Sequence, residues 1–299
     1  MLETTGRSPN AIAEEVRPSA NGALPREKEI SRTGSDPKFS QSLERGLAIL
    51  GCFTVERSTL GIAELADRLD FSRSTVHRYA VTLLELGYLE QGSDRKYRLG
   101  LRVTDLGLSA IGASNLACAA DKDLRRLRRQ TRLTTALAVL DDLQIVYLRW
   151  LRGYAISEGH ASWISPLAAG SRLPAYSTAA GKVLLAHLPR ERQANAARLI
   201  IAEQNRPVGN HGVRRLLGEL EQIARDGVAI CSEQSLTPLL ALAVPIRESS
   251  NEVVGALSLI APNRDTSAGE LLDRHRRDLR QAAHRISSAH QSHRPPAPS

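Results

Sequence analysis

Aromatic side chains make up only 4% of this 299-residue chain, which also carries a single methionine and three cysteines. Cys52, Cys118 and Cys231 are odd in number and far apart in sequence. That excludes a disulfide framework and points to a reducing, cytoplasmic setting. No apolar run approaches the roughly 18 residues of a membrane span; the longest, near Leu239–Ile246 and Val253–Ala261, are strand-sized. The N-terminal stretch holds acids and lacks an apolar core, so no signal peptide is expected. Enzymatic signatures are missing too. Gly181-Lys182 is followed by Val183, and Tyr176 stands where a phosphate loop needs its first glycine. There is no nucleophile elbow, HExxH, CxxC or paired-carboxylate pattern. The histidines are scattered, which leaves only a zinc site assembled from distant segments. These absences argue against an enzyme and against a resident cofactor or metal.

What is present is an ordinary soluble balance, 42% hydrophobic and 24% charged, with room for two domains. The net charge of +8 suits a polyanionic partner. Yet Gln41–Gly100 holds eight basic and eight acidic residues, so placement matters more than the total.

Leu60–Gly100 reads as helix, tight turn, helix and hairpin. Ile62, Leu65, Ala66 and Leu69 recur at helical spacing. Asp70-Phe71 makes the turn, because Asp tolerates the left-handed conformation. Ser72 stands as the N-cap of a second helix, about Arg73–Leu86. On that helix Val76, Ala80, Leu83 and Leu84 share the inward side. Ser74, Arg78 and Glu85 lie opposite, flanked by Thr75, His77 and Val81. Hydroxyl, imidazole and guanidinium groups on an outward face can bond phosphates and base edges. Gly87 ends the helix, and Tyr88-Leu89 pairs with Tyr97–Leu99 across Gly92–Asp94. Arg95 and Lys96 sit on this hairpin as a wing would, completing a winged helix-turn-helix. The bland alternative is a small helical hairpin with a solvated face.

Residues 1–38 have the composition of a disordered arm. Ser40–Thr54 repeats Leu43, Leu47, Leu50 and Cys52/Phe53, a helix expected to pack beneath the helix-turn-helix, with Arg45 either presented to a phosphate or an ordinary surface residue. The DNA-binding domain is thus placed at 39–100. Two linker helices follow over 101–131, with Leu101, Val103, Leu106 and Leu108 as an apolar stripe and an arginine-rich second helix. From 132 to 290 the pattern changes to strands Thr134–Leu140 and Gln144–Leu151, a Gly/Ser/Pro-rich loop over Gly153–Pro174, and three helices. Strands Val228–Ser232, Leu240–Ile246 and Val253–Ile260 come next, then a helix Ser267–His290. This predicts an α+β effector domain with a mainly antiparallel sheet. Residues 291–299 read as a disordered tail.

Four stretches resemble the IclR family of bacterial transcriptional regulators: SLERGLAIL with SRSTVHRYAVTLLELGYL, the wing RKYRLG, RLPAYSTAAGKVLLA, and DGVAICSEQ with LALAVPI and VVGALSLIAP. The resemblance implies a GAF-like effector domain, binding to promoter DNA as a homodimer or dimer of dimers, and a response to a small carboxylate metabolite. It also implicates Ala179 and Ala180, whose backbone amides would receive the carboxylate, with Cys231, Leu239, Ala241, Ser258, Ile260 and Ser162 around it. A physical reason stands beside the first pair: Ser177–Gly181 opens a helix, where free amides and the dipole favour an anion. The alternative is that small residues there merely permit tight helix–sheet packing. A position that is acidic in at least one member is Cys231 here, and a serine on the last strand is replaced by Ile260. The pocket is therefore expected to suit a larger aromatic or hydrophobic acid, as in regulators of aromatic-acid catabolism. Two competing readings remain: a redox-active thiol protein using Cys231, and a DNA-binding protein without a ligand.

Overall fold

The computed structural model describes residues 39–54, 57–154, 167–203, 210–233, 239–263 and 266–292. Ser162 and the expected arm and tail lie outside the described residues, apart from Gln291 and Ser292, which extend the last helix.

The N-terminal part contains α1 (Gln41–Gly51), α2 (Ile62–Leu69) and α3 (Arg73–Glu85), followed by β1 (Leu89–Gln91) and β2 (Tyr97–Leu99). Asp70 takes the left-handed conformation, at φ 53° and ψ 43°, as the turn requires. Ser72 then caps α3, its hydroxyl accepting from the Thr75 amide at 3.2 Å. Gly87, at φ +75°, stops the helix and turns the chain into β1. Ile49, Leu60, Leu65, Val76, Ala80, Leu89 and Tyr97 form the core of this unit.

One expectation fails here. Leu43 and Leu47 of α1 do not pack beneath the helix-turn-helix; they are 64% and 59% exposed. The helix turns Ile49 into the core instead and sets Ser42 and Arg45 against neighbouring side chains. Tyr79 donates to the Ser42 hydroxyl at 3.3 Å, and the Arg45 guanidinium lies 5.5 Å from the Phe71 ring centre. Those contacts fix the rotation of α1, and the leucine stripe faces away.

Helix α4 (Arg102–Gly112) buries no residue of its own. Helix α5 (Asn115–Thr131), read from the sequence as the second half of a linker, behaves differently. It buries Leu116, Ala117, Ala120, Leu124 and Leu127 against the sheet and against the last helix. The strands are β3 (Thr134–Asp141), β4 (Gln144–Leu151), β5 (Arg172–Pro174), β6 (Ala229–Glu233), β7 (Leu239–Arg247) and β8 (Val253–Pro262). They form one six-stranded antiparallel sheet in the order β5-β4-β3-β8-β7-β6. Strand β5 falls where the sequence suggested only loop; its three residues are held by pairing with Gln144–Val146. The remaining helices are α6 (Ala179–Ala186), α7 (Arg190–Glu203), α8 (Asn210–Asp226) and α9 (Ala268–Ser292). Helices α5 and α9 cover one face of the sheet, while α6, α7 and α8 cover the other. Alternation along each strand sorts the faces: Ala256, Ser258 and Ile260 look towards α6, and Leu257, Leu259 and Ala261 look towards α5 and α9.

Candidate nucleic-acid interface and effector site

The outward side of α3 is open. Ser72, Arg73, Ser74, His77 and Arg78 are exposed, and Thr75 is half-buried. No acidic residue stands in the first turn, so the positive end of the helix dipole and Arg73 act together there. The Ser72 hydroxyl is already engaged. It caps Thr75 and lies 2.9 Å from Ser74 Oγ and 2.8 Å from Thr75 Oγ1. Ser74 and Thr75 are thereby steered by the cap, whereas Arg78 leans 5.3 Å from the Tyr79 ring centre and keeps its outer edge in solvent. Arg45 is brought beside the helix start by its contact with Phe71.

On the wing, Arg95 holds the turn at φ +61° with its side chain exposed. Lys96 is shared: its ammonium sits 3.5 Å from Glu64, whose carboxylate also accepts from the Gly61 amide at 2.7 Å. The Gly61 amide first, and then Lys96, hold the Glu64 carboxyl below its ordinary range. Part of the Lys96 charge is compensated before any partner arrives. This pairing, across the helix-to-wing boundary, has no signal in the sequence pattern.

The second constellation is internal. Ala179 and Ala180 open α6 and are buried, as is Thr178, which caps the helix by accepting from the Gly181 amide at 3.0 Å. Among the described residues no acceptor faces the Ala179 or Ala180 amide. Gly181 is required by packing: a Cβ there would overlap the carbonyl and Cα of Ala175 in the tight turn that precedes α6. The small residues therefore do serve close packing, and the first-turn amides of Ala179 and Ala180 are buried without a described hydrogen-bond acceptor.

Opposite this helix end, the sheet register brings the other predicted residues together. Cys231 pairs with Ala241, and Ala241 with Ile260, forming one lateral row. Ala243, Ser258, Ala136 and Trp150 form the next. Leu239 belongs to the same apolar cluster as Ala179, Ala180, Ala241 and Ile260. The Cys231 thiol contacts the Ser177 carbonyl at 3.5 Å, tying β6 to the entry of α6. Ser258 Oγ is buried and, among the described residues, has no hydrogen-bond partner. A buried hydroxyl left unpaired is costly unless something fills its place.

Two features escaped the sequence reading. Lys182 reaches from α6 to Glu219 on α8 at 2.5 Å, with only 16% of its side chain exposed; a salt bridge between distant helices leaves no local trace. Tyr147 and Trp150 share the effector face although three residues apart. The register of β4 against β3 slips between Leu137 and Ala138, pairing them with Arg149 and Tyr147 and leaving Leu148 as the extra residue. A bulge reverses the alternation beyond it, and nothing in the period-two pattern announces it.

The cysteines form no disulfide. Among the described residues no group of His, Cys, Asp or Glu is placed to hold a metal, and no helix is long and apolar enough to cross a membrane.

Two family models match the chain: the IclR helix-turn-helix domain over residues 42–93, and the C-terminal part of the IclR bacterial transcriptional regulators over residues 108–288. The HTH-type transcriptional regulator XynR of Escherichia coli strain K12 is 32% identical over 253 residues, spanning 83% of this chain and 96% of the relative. The p-hydroxybenzoate hydroxylase transcriptional activator of Acinetobacter baylyi is 29% identical over 237 residues, covering 79% and 86% of the two chains. Among solved structures, an IclR homologue from Microbacterium hydrocarbonoxydans complexed with 4-hydroxybenzoate superposes with a TM-score of 0.65. It is 27% identical, over 84% of this chain and 99% of the homologue.

Proposed function

The chain belongs to the IclR family of bacterial transcriptional regulators, and we propose from that premise how its residues divide the work. It is a DNA-binding regulator with a helix-turn-helix head and an α+β effector half. Ser74, Thr75, His77 and Arg78 read base edges in the major groove of an operator. Arg45, Ser72, Arg73, Arg95 and Lys96 hold flanking phosphates. The reading is carried by one observation: a Ser72-capped helix, free of acids in its first turn, turns Ser74, His77 and Arg78 to solvent beside a basic hairpin.

In the effector half, the amides of Ala179 and Ala180 receive a carboxylate, Ser258 supplies a hydroxyl, and Cys231, Leu239, Ala241 and Ile260 form the apolar wall; Ser162 is assigned to the same site by resemblance. The buried amides without a described acceptor, the orphaned Ser258 hydroxyl and the scarcity of charge among these residues favour an aromatic acid over a small keto acid. The 4-hydroxybenzoate bound to the Microbacterium homologue belongs to that class. Two copies meet through the leucines that the fold leaves uncovered, Leu43, Leu47, Leu101, Leu106 and Leu108. Operators of such dimers are pseudo-palindromic, and the protein acts in the cytoplasm with the chromosome.

Coupling runs through α5, which is anchored along its C-terminal half. Its Leu124 carbonyl accepts from Thr135 Oγ1 at 3.2 Å, and its Arg128 donates to the Tyr154 hydroxyl at 2.9 Å, just past β4. Helix α4, with nothing buried, is the lever between that rigid body and the head. An effector that favours one sheet–α5 arrangement shifts the spacing of paired heads.

A gel-shift series over genomic fragments at low salt tests the whole, with and without 4-hydroxybenzoate, protocatechuate or glyoxylate. One fragment should shift specifically and respond to an aromatic acid. Failure to shift any fragment overturns the DNA-binding assignment of residues. Binding of glyoxylate alone, by calorimetry, overturns the aromatic class.

A further inference from the structure

We propose that Trp150 is the residue that selects an aromatic ring in the effector site, with Tyr147 holding its indole in place. The inference rests on the effector site proposed above and adds to it a specificity determinant on β4, a strand from which no site residue was assigned.

Three observations carry it. The first is register. Ser258 on β8 stands opposite Ala136 on β3, and Ala136 stands opposite Trp150 on β4. Adjacent antiparallel strands are about 4.8 Å apart, so the Ser258 and Trp150 positions are about 10 Å apart, with only the Ala136 methyl between them. Ala136 is 0% and Ser258 2% exposed, so the row is covered in this structure; with so little side-chain volume in it, a six-membered ring is accepted there with the least displacement. No larger side chain stands on the other side of Ser258 in this row: its next member is Ala243.

The second is orientation. The Tyr147 and Trp150 rings meet edge to face, with centroids 4.8 Å apart and planes at 73°. Tyr147 is 1% exposed and packed within the cluster that α6 covers. It therefore presents a fixed edge, and the indole is held in one plane rather than free to rotate. Trp150 itself is only partly buried and packs on the rim of that cluster. One side of the ring is committed to Tyr147, and apolar area remains for another partner.

The third is the bulge. Without the slip between Leu137 and Ala138, Trp150 would face α5, on the other side of the sheet. The irregularity delivers a large aromatic side chain to the effector face, in the row next to that of Cys231, Ala241 and Ile260. Bulges commonly re-aim a side chain next to a functional site. A carboxylate fixed at the Ala179 and Ala180 amides, with its ring between Ser258 and the indole, uses every one of these features. A two-carbon acid would reach the amides and leave the indole uncovered.

The test is calorimetry on the full-length chain with 4-hydroxybenzoate and glyoxylate, comparing wild type with Trp150→Ala and Trp150→Phe. Trp150→Ala should weaken 4-hydroxybenzoate by tenfold or more, on the scale of a lost aromatic contact, and leave any glyoxylate affinity unchanged. Trp150→Phe should keep 4-hydroxybenzoate binding within about threefold. If Trp150→Ala will not fold, a second readout stands alone. The chain has two tryptophans, and in a Trp163→Phe background the remaining indole should lose emission saturably as 4-hydroxybenzoate binds. Unchanged affinity in Trp150→Ala, equal loss for both acids, or titration without any change in Trp150 emission overturns the role of Trp150 while the effector site stands. Failure of the wild type to bind any aromatic acid sinks the effector reading itself.

Discussion

Helices α3 and α6 begin alike and end in opposite uses. Each is opened by a hydroxyl N-cap, Ser72 in one and Thr178 in the other, accepting from an amide three residues on at 3.2 and 3.0 Å. Beyond the cap they diverge. Helix α3 keeps Arg73, Ser74, His77 and Arg78 in solvent, so its chemistry lies in side chains. Helix α6 buries Ala179, Ala180, Gly181, Val183, Leu184, Leu185 and Ala186, so at its start Ala179, Ala180 and Gly181 offer backbone and no polar side chain. In the function proposed above, a polyanion as large as a duplex is met by projecting donors, and a small acid by buried backbone amides. The local device is the same in both, and what differs is whether the helix is wrapped by the fold.

The sharpest way to break this contrast is to give α6 a side chain where it has none. Gly181→Ala pushes a Cβ into the Ala175 backbone, which cannot swing aside as a side chain could. A destabilisation of about 3 kcal/mol is expected, at the upper end for overpacking, read as a lowered urea midpoint, with the head still able to bind DNA where folded. A stability equal to wild type would show that α6 is free to move off that turn.

On α3 the opposite manipulation should matter. Arg78→Ala should cost roughly 1–3 kcal/mol of binding to the preferred operator and leave folding unchanged. Lys96→Ala should weaken all sequences about equally and reduce the salt slope by about one. A loss of sequence preference in Lys96→Ala would move it from the phosphates to the bases.

The caps allow a finer comparison. Ser72→Ala and Thr178→Ala each remove one acceptor, with costs of about 0.5–2 kcal/mol for a cap of this kind. Thr178 is 1% exposed while Ser72 is open to solvent, so water replaces the Ser72 bond and cannot replace the Thr178 bond. Paired denaturation curves should show the larger loss for Thr178→Ala.

The smallest effect concerns pH. At the end of α6, His187 is held by its Nδ1 against the Val183 carbonyl at 2.8 Å, and burial pushes its pKa below the ordinary 6.5. His275 on α9 shifts the same way, also through burial. Protonation is therefore easier in the unfolded chain. The stability these groups contribute is complete above about pH 6.5 and declines as the pH falls below it. Denaturation at about pH 7.5 and pH 5.5 should show the decline, and His187→Gln should reduce it.

Much of the head was legible because its rules are local. Asp70 as a left-handed turn, Ser72 as a cap, Gly87 as a stop and the hairpin to Leu99 each depend on a residue and its near neighbours. The effector residues were reached through resemblance, and the structure gathers the described ones onto one face through pairings between β6, β7 and β8. Leu43 and Leu47 misled because an apolar stripe says that a helix has a dry side, not what covers it.

Helix capping, turn conformation and the alternation of the strands without a bulge were thus determined by the order of residues alone, since each is settled within a few bonds. The rotation of α1, the packing of α5 against the sheet, the Lys182–Glu219 bridge and the side on which Trp150 emerges were decided only by tertiary structure. Each joins segments tens of residues apart, or follows one extra residue in a strand, and both depend on packing that no short stretch contains.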